Sequence, residues 1–269
     1  VVTRSVRDSA SILDCIRGAA PGDPYTAPPP ERPYREELGR DPGRLRIGVY
    51  TKRPGTSLSG APVHADCVRA VEETARALEG LGHHVEISSP PVLDDDDDGS
   101  VITIFASAIA RDIDRWSARI GRSIALDEVE PTTALAVEIG RGTPALRYVE
   151  AVENLQRYSR ELAAWWHDGF DILLTPTLAE PPWPIGPLGP AGADAMEVLR
   201  RFTEYSPYCL PFNISGQPAV SLPLSWNAAG LPIGVQAVAA YGREDVLVRL
   251  ACQLEQALPW KDRRPAVCA

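Results

Sequence analysis

Lysine is almost absent from this chain, with Lys52 and Lys261 the only two in 269 residues. Lys52 lies in a loop-forming run, Thr51–Lys–Arg–Pro–Gly55, and Lys261 in a charged tail. Neither has the apolar sequence around it that would depress an ammonium pKa and make it a base. No two glycines are adjacent, and the one Ser–Ser pair, Ser88–Ser89, runs into Pro90–Pro91. A Gly/Ser-rich nucleophile loop is therefore excluded. The five cysteines, Cys15, Cys67, Cys209, Cys252 and Cys268, are odd in number, widely spaced and form no Cys-x-x-Cys pair. That argues against a disulfide framework or a zinc site and for reduced thiols in the cytoplasm. Apolar runs long enough to span a membrane are missing, and Val1–Ser5 does not read as a signal peptide. A net charge of -9 makes nucleic acid or an anionic membrane surface a poor partner.

What the chain has is an alternation of strand and helix patterns. Ser5–Val–Arg–Asp8 is a capping-box pattern opening a helix with Val6, Ala10, Leu13 and Ile16 inward. Residues 20–44 are proline-rich and read as an extended connector. Leu45–Tyr50 is a strand, residues 64–81 a helix with Val68, Val71, Ala75, Leu78 and Leu81 on one face, and Val85–Ser88 a strand. That order makes a β-α-β unit with parallel strands. A helix is expected over 101–120, and the longest one opens at Thr143–Pro144, with Leu146, Val149, Val152, Leu155, Leu162 and Trp166 inward. Phe170–Thr177 is a buried strand, and Gly186–Gly192 a Pro/Gly-rich loop. Strands over 219–225 and 233–239 and a helix over 244–258 complete an α/β chain, whose five strands are expected in one sheet.

Several constellations invite a chemical reading and fail it. Asp94, Asp96, Asp98 and Gly99 match positions one, three, five and six of a calcium loop, but position twelve is Phe105 where a bidentate glutamate is needed. A solvated acidic loop is the better reading, and no metal is expected. Gly140–Arg–Gly–Thr–Pro–Ala145 has dinucleotide-fingerprint spacing without a convincing strand before it or an acidic residue after it, so no cofactor is expected. His64, His83, His84 and His167 form no metal-binding pair, and His83–His84 read as solvated turn residues. His167 beside Asp168 lacks a Gly-x-Ser-x-Gly nucleophile. Ser215 has no base in its motif, and its place in a turn is explained by side chain to backbone hydrogen bonding.

The most informative stretch runs from Cys209 to Gln236: a polar turn, Asn213–Ile–Ser–Gly–Gln–Pro218, then two strands joined by Asn227–Pro232. It resembles the C-terminal signature of amidase-signature hydrolases, with its Asn–x–Ser/Thr–Gly–x–Pro turn and Gly–Leu–Pro–x–Gly–x–Gln strand. Ser5–Asp8, Asp23–Pro28 and the Asp171–Pro176 strand resemble the family too. Asp23–Pro30 and Arg32–Pro33–Tyr34 are similar to a branch acting on linear or cyclic ω-amino-acid amides such as nylon oligomers.

The resemblance implies the C-terminal half of the amidase-signature fold, a mixed β-sheet flanked by helices. Residues 1–269 would form one partial domain whose N-terminal, catalytic half is absent; Val1 at the start and Met196 as the one methionine fit that expectation. The family cuts amides with a Ser–Ser–Lys triad, so no catalytic residue is assigned here. Thr175, Pro176, Cys209, Phe212 and Asn213 are implied as substrate-pocket residues, facing one concavity far from His167 and Asp94–Asp98. The expected partners are a small amide and the missing half, and a homodimer is compatible with the chain. The rival readings are a truncated, non-catalytic binding or scaffold protein and a Ser-His-Asp hydrolase using His167.

Overall fold

The computed structural model describes residues 1–55, 61–95, 98–186 and 194–264. Its strands are β1 (Arg46–Val49), β2 (His84–Ile87), β3 (Ile172–Pro176), β4 (Ala219–Trp226) and β5 (Pro232–Ala239). They form one mixed sheet in the order β2-β1-β3-β5-β4. β1 lies parallel to both β2 and β3, whereas β5 runs antiparallel to β3 and β4. The five strands expected from sequence are these five.

The helices are α1 (Val6–Ile16), α2 (Ala65–Gly80), α3 (Ser100–Ile120), α4 (Pro131–Gly142), α5 (Ala145–His167), α6 (Ala195–Tyr205), α7 (Leu210–Ser215) and α8 (Glu244–Ala257). Local chemistry starts and stops them. The Ser5 hydroxyl accepts from Asp8 N, His64 Nδ1 from Asp66 N, and the Asp194 carboxylate from Glu197 N. Gly121 and Gly216, at φ of 74° and 72°, close α3 and α7 in the left-handed region.

Alternation along the strands divides the core into two layers. Ile172, Leu174, Val235, Ala237 and Leu222 face α2 and α8, together with Val6 of α1. Leu173 and Val238 face the opposite way, into a cluster with Tyr50, with Leu162, Trp165 and Trp166 of α5, and with Phe212 of α7. Helices α3 and α4 pack on each other and α3 on α5, outside that second layer. The Trp165 ring stacks on Phe170 at 3.9 Å and donates from Nε1 to Ser88 Oγ at 3.0 Å. It lies so close under β1 that a Cβ on Gly48 would meet the ring at 2.4 Å and Ser88 O at 2.5 Å.

Some expectations need correction. The polar turn before β4 is the short helix α7: Asn213 N and Gly216 N donate to Cys209 O and Phe212 O. Residues 131–142, unassigned from sequence, form α4, because Gly140 permits contact with the Ala106 backbone of α3. Leu146 and Val149, expected inward on α5, are 79% and 52% exposed, since the buried stripe there runs through Ala151, Leu162 and Trp165–Trp166. Leu81 is exposed past the end of α2, and Cys67, Ala70 and Thr74 are buried beside Val71 and Leu78. His83 is 6% exposed instead of solvated. Its Nδ1 accepts from Leu45 N at 3.1 Å, and its Nε2 pairs with Gln253 Oε1 at 2.8 Å. The loop expected at 186–192 lies largely outside the described residues.

The proline-rich connector is fastened by charge. Glu37, 2% exposed, receives Arg249 Nε at 2.7 Å and Arg32 Nη1 at 2.9 Å. Burial raises its pKa, but the hydrogen bonds and charges of the two arginines outweigh it and hold the carboxyl below the usual range.

Two outcomes follow from this packing. Gly48→Ala should cost about 2 kcal/mol in urea denaturation, the range for overpacking, while Gly80→Ala, which meets open space, should be neutral or slightly stabilising. Equal effects would mean that Trp165 yields to the new methyl group. Glu37, with its folded pKa below the unfolded value of about 4.3, stabilises fully above that value, and the contribution is lost as pH falls through the folded pKa. Glu37→Gln should therefore cost about 3 kcal/mol at neutral pH and make the acid limb of the stability–pH curve shallower. An unchanged limb would show that the pair does not couple to folding.

Candidate substrate pocket at the strand ends

β1, β2 and β3 run parallel, so their carboxyl ends point the same way. On β3, Thr175 stands opposite Gln236 of β5, which in turn stands opposite Ser221 of β4. Cross-strand partners share a face, so all three point toward the α5/α7 layer. Gln236 Nε2 donates to Thr175 Oγ1 at 3.1 Å and to Tyr208 O at 3.2 Å, and Thr175 Oγ1 donates to Pro176 O at 2.8 Å. Cys209 Sγ lies 3.9 Å from both Gln236 Oε1 and Thr177 O. Two residues beyond Thr175, the Thr177 hydroxyl pairs with that of Ser221 at 2.6 Å. Gly234 leaves room for them, since a Cβ there would meet Thr177 Oγ1 at 2.8 Å.

A charged clamp holds the loop after β3 against α6. Arg201 grips Glu180 through two bonds of 2.6 and 2.8 Å, and Trp183 Nε1 adds a third at 3.0 Å. The Arg201 guanidinium sits 4.3 Å over the Trp183 ring, which packs on Tyr205. Hydrogen bonding to Arg201 holds the Glu180 carboxyl below its ordinary range. Buried Glu204 accepts from both Arg200 and Arg201.

A second polar region is a cleft of about 160 Å³ between the β2–α3 connection, α5 and α7. Asp95, Asp98, Asn154, Arg157, Glu161 and Ile214 are among its walls. Asp98 accepts from Ser100 N at 2.9 Å and Asn154 Nδ2 at 2.6 Å. Burial raises its pKa, but the Ser100 bonds and the charges of Arg147 and Arg157 prevail and keep it low. The cleft thus offers a fixed carboxylate and a guanidinium. Lys52 is 76% exposed and 3.9 Å from Asp94, Lys261 is exposed, and Ser215 Oγ donates to Gln217 Oε1 at 3.0 Å. Among the described residues no group of three or more His, Cys, Asp or Glu is placed to hold a metal, and no helix is long and apolar enough to cross a membrane.

Of the five residues singled out from sequence, Thr175 and Cys209 meet at Gln236, and Phe212 is buried in the layer behind them. Asn213, exposed on the same short helix, lies on that side of the sheet as well. Pro176 does not join them: its register partner Val235 belongs to the α2/α8 core, so its ring faces the other way. None of the five lines the cleft. Asp95 and Asp98, expected far from that concavity, line this separate cleft; Asp96 and Asp97 lie outside the described residues. His167 is exposed at the end of α5.

Thr177, Ser221 and Gln236 were not picked out. Gln236 had a signal, as a long amide in an otherwise apolar strand, where a buried polar group requires partners.

Residues 1–248 match the family model described as Amidase. The chain belongs to the amidase-signature family. It is 40% identical over 268 residues to a 6-aminohexanoate-cyclic-dimer hydrolase from a Pseudomonas strain, covering 97% of this chain and 54% of the relative. It is also 40% identical over 270 residues to the same-named enzyme from Paenarthrobacter ureafaciens, with the same coverage. A solved structure of a 6-aminohexanoate cyclic dimer hydrolase superposes with a TM-score of 0.88 at 39% identity, over 98% of this chain and 55% of that one. A bacterial aryl acylamidase at 19% identity shares the fold, with a TM-score of 0.78. The chain spans about half the length of the curated relatives it matches.

Thiol chemistry reports on the strand-end environment. Burial raises the pKa of Cys209, and that of Cys67 to about 12, so both stay protonated near neutrality. In a Cys268→Ser background, iodoacetamide should modify exposed Cys15 first, with Cys209 and Cys67 slower by at least about tenfold. Mass spectrometry of a time course reads the order, and early labelling of Cys209 would mean that the Gln236 network opens readily.

Proposed function

We propose that this chain forms the pocket wall and part of the sheet of an amidase that hydrolyses linear or cyclic carboxamides to an acid and an amine or ammonia. The observation that carries this reading is the Thr175–Gln236–Cys209 network, a hydrogen-bonded row on the same face as Phe212 with no general base in it. Such a row is suited to orienting an amide between polar contacts and an apolar backing, and it is unsuited to attacking one. Thr175, Cys209, Phe212 and Asn213 are the proposed wall, with Pro176 closing the end of β3 from the opposite face. The 40% identity to 6-aminohexanoate-cyclic-dimer hydrolases favours ω-amino-acid amides among the substrates.

The Ser–Ser–Lys chemistry needs groups that these 269 residues do not contain. In that scheme a neutral lysine takes the serine proton through a bridging serine, and backbone N–H donors stabilise the oxyanion, each worth about 2.7–4 kcal/mol. Both lysines here are exposed. A cytoplasmic setting belongs to the same proposal, on the widely spaced thiols.

The 269-residue chain alone should show no turnover of 6-aminohexanoate cyclic dimer or of simple anilides. Turnover above a buffer blank that a point mutation in this chain abolishes would overturn the reading. Joined in one polypeptide to the remaining part of a cyclic-dimer hydrolase, it should support hydrolysis. There, Asn213→Ala should raise KM roughly fivefold, the worth of a hydrogen bond of about 1 kcal/mol. Unchanged KM and kcat would remove Asn213 from the pocket.

A further inference from the structure

The cleft between the β2–α3 connection, α5 and α7 suits a short chain charged at both ends. Val92, Val101, Leu155 and Ile214 give it aliphatic walls, and the polar side chains among them fall into two kinds. Asp98 is committed to the protein, one carboxylate oxygen taking Ser100 N and the other Asn154 Nδ2. Those bonds also fix the Asn154 amide, whose Nδ2 reaches Ser100 Oγ at 3.3 Å, and leave its Oδ1 an acceptor with no hydrogen bond among the described residues. Arg157 and Glu161 are uncommitted. They lie one turn apart on α5, a spacing at which opposite charges commonly pair, yet neither forms a hydrogen bond or ion pair among the described residues. The Arg157 charge acts on Asp98 without touching it.

These groups select a ligand by charge. Asp95, Asp98 and Glu161 favour an ammonium group and repel a dicarboxylate. Arg157 repels a diamine, and its planar fork matches a carboxylate. Methylene groups between the two charges would cover the aliphatic wall. The volume of about 160 Å³ is below the roughly 300–1,000 Å³ of pockets for drug-sized ligands, which limits the occupant to a small molecule.

We propose that this cleft binds a short ω-amino acid as its zwitterion, with the ammonium held by Asp95, Glu161 and Asn154 Oδ1 and the carboxylate by Arg157. The two-ended selection comes from the cleft itself; the six-carbon spacer chosen as probe rests on the amidase reading. In ligand-observed NMR titrations of the 269-residue chain, 6-aminohexanoate should saturate one site with a Kd of about 1 mM. Hexylamine should bind about tenfold more weakly, and hexanoate should not bind. Arg157→Gln should bring 6-aminohexanoate down to the level of hexylamine, and Glu161→Gln should weaken both at least about threefold. Circular dichroism should show both variants folded, since both side chains are exposed. The proposal is overturned if 6-aminohexanoate does not saturate, if hexylamine binds as tightly, or if neither variant changes the affinity. Because no turnover is measured, binding without hydrolysis in the joined polypeptide would sink the amidase reading and leave the cleft standing, and hydrolysis without binding would do the reverse.

Discussion

β3 is buried along its whole length and hydrogen-bonds on both edges, parallel to β1 and antiparallel to β5, so the other strands and both helical layers are positioned relative to it. Five consecutive buried residues leave no solvated face, which is why the segment is an apolar run and not an alternating one. The exception is Thr175. Its hydroxyl has to be satisfied inside the protein, and Gln236 from the neighbouring strand satisfies it while also binding the Tyr208 carbonyl. One hydrogen-bonded pair thus fixes the β3/β5 register, seats the segment leading into α7, and brings Cys209 to the strand end.

The surrounding elements act as braces for that point. Trp165 fills the space under Gly48 and holds α5 against the sheet. The Arg201–Glu180 clamp, partly shielded by Trp183, keeps the loop after β3 against α6. Glu37 ties the proline-rich connector to α8. These interactions sit at the connections between layers, where packing alone leaves freedom to slide.

The two polar regions differ in kind. The strand-end row is neutral, built from hydroxyls, an amide and a protonated thiol, and its partners are mostly within itself. The cleft beside α3 is charged, and its central carboxylate is anchored by the start of that helix and by Asn154. Ile214 reaches the cleft from the same short helix that places Cys209 and Phe212 near the row. Helix α7 therefore borders both.

The five strands, the major helices and the amidase-signature resemblance were legible in the sequence because they rest on local periodicity and on a contiguous motif. The face each side chain takes was not, since that depends on register between segments far apart in the chain. Pro176 points away from Thr175 because strand residues alternate, and His83 is buried because Gln253, 170 residues later, accepts it. Leu146 and Val149 look like core by spacing, yet α5 turns other residues inward to meet the sheet. Periodicity in the sequence determined which segments are strands and helices; only the tertiary structure decided which of their faces meet, because burial is a property of the partner as much as of the residue.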